Sequence, residues 1–471
     1  MKDDILVSVR SLSKHYTLKG GGIFESKRRV YANRDISLDI RRGETLGLVG
    51  ESGSGKSTFG RGVLGLTPVD SGSVRYYGAS VREVYPDYLR RALKEFSASP
   101  EESKNRVVNY LELRKNSHGY GYNGDFDTSM AVWQSIECLK ILGCLALSLK
   151  APRACELIRK RLDITSSLGE CKERRRRYKP DIGAASGGKH QTAYELSRID
   201  SEIEMMKAEC AREPYFADAE AMLDHGIELT RMKGEQMRRL RKEMQIVLQD
   251  PYSSLNPRMT VQEIIAEGIV AHGILKRGSA ELYEHIRATL ELSGMPSSML
   301  GRYPHEFSGG QRQRISIARA LALSPKLVVC DECVSALDVS VGAQIINLLS
   351  DLKEREGLTY LFISHDLSVV RYISDRVGVM YLGRIVELGE AEEIFDHPMH
   401  PYTEALLSSA PGIGKKRLAL ERQQVSASPT ELSDGCPYAP RCKRAQKICK
   451  EERPELIDMG GGHLCACHFA E

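Results

Sequence analysis

The sequence predicts an α/β fold: a mostly parallel sheet that carries a phosphate loop, interrupted by an inserted, mostly helical domain and followed by a cysteine-rich C-terminal segment. Three observations predict it. The first is Gly50-Glu51-Ser52-Gly53-Ser54-Gly55-Lys56-Ser57-Thr58, a glycine, four residues, then Gly-Lys-Ser. Thr45 to Val49 before it reads as a short buried strand, and Thr58 to Leu66 after it reads as a helix. The second is Lys326 to Glu332, an apolar strand that ends in two carboxylates, Asp331 and Glu332. The third is the alternation of strand-like and helix-like segments after Met237, which favours parallel pairing through crossover helices.

In chain order, Ile5 to Val9 starts a strand that leads to Lys14-His15-Tyr16. Residues 17–30 are rich in Gly, Lys and Arg and read as a loop. Val30 to Ile40 reads as a second strand, and Ser73 to Tyr77 as a further one closed by Gly78. The character changes from 85 to 234, where runs such as Met130 to Leu149 and Tyr194 to Ala211 read as helix. Glycine-bearing breaks near 118–125 and 182–188 divide this insert, and Arg174 to Arg177 form a basic run within it. The core resumes at 235. Val261 to Gly273, Ala280 to Leu292 and Gly310 to Leu323 are spaced as helices, giving a helical subdomain over about 251–322. Thr359 to Ser364 reads as a strand ending at His365, and Val377 to Leu388 as a hairpin turning at Gly383. The expected domains are therefore a core of 1–84 and 235–400, the insert 85–234, and a C-terminal segment 401–471.

The chain has 471 residues, a net charge of +4, 41% hydrophobic and 28% charged residues. That balance fits a globular chain of several domains and does not by itself demand a nucleic-acid partner. Met1-Lys2-Asp3-Asp4 begins acidic and runs into a strand, unlike a signal peptide. The apolar run Ile141 to Leu149 lies between lysines and is far short of a membrane span. A cytoplasmic location is expected, so the twelve cysteines read as free thiols or metal ligands rather than disulfides.

Each part of the phosphate loop has a physical task. The glycines let successive N–H groups turn inward on phosphate oxygens, and the helix start adds partial positive charge there. Lys56 would reach the β- and γ-phosphates of ATP, and Ser57 would sit on Mg²⁺. Asp331 can hold Mg²⁺ directly or through water, and Glu332 can polarise the attacking water. Gly183-Ala184-Ala185-Ser186-Gly187-Gly188-Lys189 repeats the glycine–lysine spacing. His190 stands where the hydroxyl is needed and no apolar strand precedes it, so no second nucleotide site is expected.

Phe307-Ser308-Gly309-Gly310-Gln311-Arg312-Gln313-Arg314 resembles the signature motif of ABC-type ATPases. With Gln249-Asp250-Pro251, Ser335-Ala336-Leu337-Asp338, Phe362-Ile363-Ser364-His365-Asp366 and His400-Pro401-Tyr402-Thr403-Glu404, the sequence is similar to ATP-binding subunits of ABC importers for dipeptides and oligopeptides. The resemblance covers about 1–84 and 236–471. It implies that Tyr16 stacks on adenine and that Gln249 contacts Mg²⁺ and senses the membrane subunit. It also implies that Ser308, Gly309, Gly310 and Gln311 act on ATP held by the opposite subunit, with Asp338 at the dimer interface. His365 would hold the γ-phosphate and position the water. The implied partners are a pair of membrane permeases, a second ATPase subunit and an extracytoplasmic peptide-binding protein, with the chain on the cytoplasmic face of the cell membrane. Rival expectations are a non-transport ABC ATPase of DNA repair or translation, and an importer of nickel or another small solute.

Cys333 departs from the family, which usually has proline after the catalytic glutamate. The insert departs further, and we expect an interaction module there with a partner of its own. Its removal by joining Gly78 to Met237 is expected to spare hydrolysis. Finally, Cys436, Cys442 and Cys449 are spaced by five and six residues, with Cys465 and Cys467 beyond. Thiols clustered like this suit a soft metal. By resemblance Cys436, Cys442, Cys449 and Cys467 would hold an iron–sulfur cluster ([4Fe-4S]); zinc and free buried thiols stay open as alternatives.

Overall fold

The computed structural model describes residues 4–18, 28–116, 130–148, 150–177, 186–409 and 435–470. Outside them lie most of the loop expected at 17–30, the break at 118–125, Gly183 to Ala185 of the second glycine–lysine spacing, and residues 410–434 of the C-terminal segment. The side chains of 167–191, including Cys171 and Arg174 to Arg177, also lie outside. The chain divides into two compact units, Met1–Ser71 with Leu240–Glu471, and Gly72–Arg239.

The first unit is organised by a sheet of eight strands among the described residues. Thr45–Val49, buried at every position, lies between Arg376–Tyr381 and Thr359–Ile363 and is parallel to both. Leu327–Asp331 and Met244–Val247 continue the parallel run. Strands buried on both faces explain the near-continuous Val, Leu and Ile of these segments. On the other side the sheet turns antiparallel through Arg384–Glu390, Leu464–Cys465 and Ile457–Asp458. The C-terminal segment thus extends the core sheet and belongs to the same unit, rather than standing apart as a domain from 401. Ile5–Leu18 and Arg28–Arg41 form a long antiparallel pair. The helices Val261–Ala271, Ala280–Leu292 and Gly309–Leu321 close around their own core, which includes Leu255, Ile265, Ile286 and Ile315.

The second unit starts earlier and ends later than the insert expected at 85–234. The reason is a pairing that local sequence does not reveal. Strand Ser71–Tyr76 joins Ile227–Glu228, with Arg75 opposite Glu228. Arg75 is buried between Glu137 and Glu228, and Lys140 lies 3.1 Å from Glu137. Joining Gly78 to Met237 would remove Glu137 and Glu228 together with the segments that bury Arg75, and would leave strand Ser71–Tyr76 without its partner Ile227–Glu228. The helix expected from Met130 runs over Met130–Leu142 and tightens into a 3₁₀ turn at Gly143–Leu147. Contrary to the sequence expectation, Met130–Leu147 is long and apolar enough to span a membrane by composition alone. It is 72% buried inside this unit, as a core helix is. Ser186 to Lys189 lie within the helix Ser186–Cys210.

Helix Pro401–Ser408 shows how the C-terminal segment is fixed. His400 caps it, its Nδ1 accepting the Tyr402 N–H at 3.0 Å. Burial pulls the His400 pKa from 6.5 down to about 4. Above pH 6.5 the ring is neutral folded or unfolded. Between pH 6.5 and 4 only the unfolded chain takes up the proton, so stability is lost as pH falls through that window. The loss by pH 4.5 is about 2–3 kcal/mol. His400→Asn keeps an acceptor at the cap, and urea unfolding at pH 7.5 and 4.5 is expected to show that much less acid sensitivity than the native chain.

Candidate functional site

The phosphate loop links the strand Thr45–Val49 to the helix Lys56–Val63. Gly50, Gly53 and Gly55 all have positive φ, at 149°, 80° and 100°. At Gly55 a Cβ would also stand 1.9 Å from the Ala32 carbonyl oxygen, so no other residue fits. Asn33 braces the turn, its side-chain amide donating to the Gly55 carbonyl at 3.0 Å.

Lys56 is 4% exposed, and its Nζ donates to the carbonyls of Gly50 (2.8 Å) and Glu51 (3.0 Å) and to Ser54 Oγ (3.3 Å). These acceptors are all neutral. Burial lowers the Lys56 pKa, while the carboxylates of Glu332, Asp331 and Glu51 act in the opposite direction. A desolvated ammonium facing a cup of backbone N–H groups suits a phosphate anion. Ser57 Oγ donates to Asp331 Oδ1 at 2.5 Å, and Arg61 approaches the other carboxylate oxygen at 3.5 Å. A hydroxyl and a buried carboxylate placed together form the hard oxygen pair that Mg²⁺ prefers. The donor set fits both a nucleotide phosphate and that ion.

Glu332 leaves the strand with φ 51°, a strained value for a side-chain-bearing residue. The Ser335 N–H and Oγ both donate to its carbonyl, at 3.1 and 2.9 Å. Its carboxylate Oε2 meets Gln249 Nε2 at 3.1 Å and His365 Nδ1 at 3.3 Å. Gln249 and His365, each just past a strand end, thus converge on one oxygen of Glu332, which follows a third strand. Cys333, which stands where proline was expected, is 1% exposed and packs with Cys330 in the main core.

Ser308 caps the helix Gly309–Leu321 in a capping box with Gln311. A Cβ on Gly310 would stand 2.3 Å from Val341 Cγ1, so the signature turn packs against the first turn of helix Val339–Glu356, which Asp338 caps. None of the described hydrogen bonds joins Ser308 to Gln311 with the phosphate loop. Tyr16 lies opposite Val30 in the long strand pair, 45% exposed, with the Lys14 ammonium 5.5 Å from its ring.

Among the described residues no group of three or more His, Cys, Asp or Glu is gathered tightly enough to hold a metal ion. Cys436, Cys442, Cys449 and Cys467 do line one narrow cleft, with His400, Tyr438 and Arg444. Cys465 is buried elsewhere, opposite Glu387 in the sheet.

Sequence reasoning missed two residues that touch the loop. Tyr402 Oη accepts the Glu51 N–H at 2.9 Å, and Arg441 lies 3.0 Å from the Glu51 carboxylate. They stand 351 and 390 residues away in sequence, so no local pattern announces them.

Fold and site together define a phosphate-loop protein with two strand-end carboxylates beside the loop. Residues 33–199 and 214–335 match the family described as ABC transporter, and residues 386–449 the family described as oligopeptide/dipeptide transporter, C-terminal region. The chain belongs to the ABC transporter family. It is 49% identical over 254 residues to the oligopeptide transport ATP-binding protein AppF of Bacillus subtilis (strain 168), covering 53% of this chain and 76% of that one. A Brucella ovis protein named for peptide import ATP binding matches at 49% identity over 245 residues, 51% of this chain and 76% of its own. Among solved structures, a dimeric ATP-binding cassette in a post-hydrolysis state aligns with 82% of this chain and 99% of its own at 17% identity, with a TM-score of 0.44.

Proposed function

We propose that this chain is the ATP-hydrolysing subunit of an ABC importer that takes up oligopeptides or dipeptides through partner membrane permeases. The observation that carries the reading is the pairing, in one chain, of the Lys56–Ser57–Asp331–Glu332 constellation with a C-terminal region matching the oligopeptide/dipeptide transporters. Relatives named for peptide import support the substrate class, and the non-transport and nickel readings have no comparable support.

In this mechanism Mg²⁺, held by Ser57 and Asp331 with Gln249 beside it, would neutralise charge on the phosphates. Lys56 leaves its carbonyl partners to bind the β- and γ-phosphates. Glu332 takes the proton of the attacking water. His365 orients Glu332 and the γ-phosphate, and Gln249 reports occupancy to the permease. Ser308, Gly309, Gly310 and Gln311 complete the site of a second ATPase subunit, with Asp338 at the junction and Tyr16 under the adenine. ATP closes the pair and hydrolysis opens it, which would drive the permeases from the cytoplasmic face. An extracytoplasmic binding protein would deliver the peptide. The second unit is read as a docking module for a partner of its own. The test is reconstitution with its partner permeases in vesicles: peptide uptake that requires ATP on the side of this subunit supports the reading, and hydrolysis that no peptide or binding protein stimulates counts against it.

For the C-terminal thiols we infer an iron–sulfur cluster on Cys436, Cys442, Cys449 and Cys467. Four thiols lining one cleft suit a soft metal centre, which would supply rigid cross-links between segments far apart in sequence. Anaerobically purified protein is expected to contain iron and acid-labile sulfide in equal amounts; zinc alone, or no metal, rejects the cluster.

A further inference from the structure

We propose that Arg441 and Tyr402 are positioning residues for the phosphate loop, so that the C-terminal segment is a working part of the nucleotide site. The inference rests on the assignment of ATP to that loop. Glu51 is the hub. Inside the loop its carbonyl accepts from Lys56 Nζ at 3.0 Å. Outside it, its N–H donates to Tyr402 Oη at 2.9 Å, and its two carboxylate oxygens lie 3.0 and 3.1 Å from one nitrogen of Arg441. The segment therefore grips, by main chain and side chain, the residue that seats the loop lysine.

Both grips are themselves held firmly. Tyr402 is 1% exposed, and its ring packs on those of Tyr381 and Tyr438 at centroid distances of 4.5 and 5.4 Å. The Arg441 guanidinium lies over Tyr381 and Tyr438 at 5.9 and 5.7 Å. The start of the helix carrying Tyr402 is anchored by buried Glu387, which accepts the N–H groups of Met399 (2.7 Å) and His400 (3.1 Å) and pairs with His463 at 2.7 Å. A rigid aromatic wall thus backs a loop whose inner face must receive phosphate. Losing a grip frees Glu51 and lets the loop backbone wander before ATP arrives, which weakens binding without removing any group that touches the nucleotide.

The experiment is ATP binding to the full chain by calorimetry, in low salt and in about 1 M salt. Arg441→Ala is expected to raise Kd about two- to five-fold in low salt, as fits a partly exposed ion pair, and to differ little from wild type in high salt. Arg441→Lys is expected to recover at least half of the loss. Tyr402→Phe, which keeps the packing, is expected to raise Kd several-fold at either salt. Arg441→Ala combined with Glu51→Gln is expected to bind no more weakly than the worse single variant. Unchanged Kd in both Arg441→Ala and Tyr402→Phe overturns the proposal, as does an Arg441→Ala effect that ignores salt and adds fully to that of Glu51→Gln. Wild-type protein that fails to bind ATP would instead defeat the assignment of the loop itself.

Discussion

Glu332→Gln is expected to lower ATP turnover by about two to four orders of magnitude while leaving ATP affinity within about twofold. The two effects separate because glutamine keeps the shape and one acceptor oxygen. It can still meet Gln249 Nε2 and His365 Nδ1, which lie 3.1 and 3.3 Å from the present carboxylate oxygen. It also carries a side chain on the same φ of 51°, so the turn after the strand is no more strained than before. What it loses is the basicity that takes a proton from water. Single-turnover hydrolysis and equilibrium binding on the same preparation measure the two separately. Weakened binding at normal turnover would mean that Glu332 is a ligand of the nucleotide and not the base.

Lys56→Ala is expected to raise the Kd for ATP about 10- to 150-fold, the span of one charge-assisted contact to phosphate, and to abolish turnover at cellular ATP. The upper end is favoured, because Asp331, Glu332 and Glu51 would then face the incoming phosphates without the buried ammonium that lies among them. The unliganded protein should behave differently. Lys56 holds a desolvated charge against neutral acceptors, and burial already disfavours that charge. Its removal therefore relieves a cost, and the midpoint of thermal unfolding without nucleotide should not fall. A large fall would mean that Lys56 holds the loop together rather than waiting for a ligand.

Much of this was legible in the sequence wherever chemistry and chain order coincide. The strand–loop–helix around Lys56 and the strand that ends at Asp331 are local patterns, and local patterns report local backbone. The convergence of Gln249, Glu332 and His365 followed from family resemblance, since each merely ends its own strand and only the sheet order brings them together. The edges of the second unit were not legible. Ser71–Tyr76 reads as an ordinary core strand, and the two-residue strand that pairs with it, Ile227–Glu228, is too short for any period to register. Glu137 is buried with Arg75 and Lys140 as its counter-charges, and Arg75 stands 62 residues away, beyond any local pattern. The grip of Tyr402 and Arg441 on Glu51 joins the two ends of the chain, which no window along the sequence can span.

The central claim is that ATP is clasped between the phosphate loop of one ATPase subunit and the signature turn of another. Sedimentation of the Glu332→Gln protein, alone and with the second ATPase of its complex, tests it directly. With Mg²⁺ and ATP the subunits should pair, and Ser308→Arg, which fills the capped start of helix Gly309–Leu321, should abolish the pairing while each loop still binds ATP. Pairing that survives Ser308→Arg, or that proceeds without nucleotide, would contradict the account.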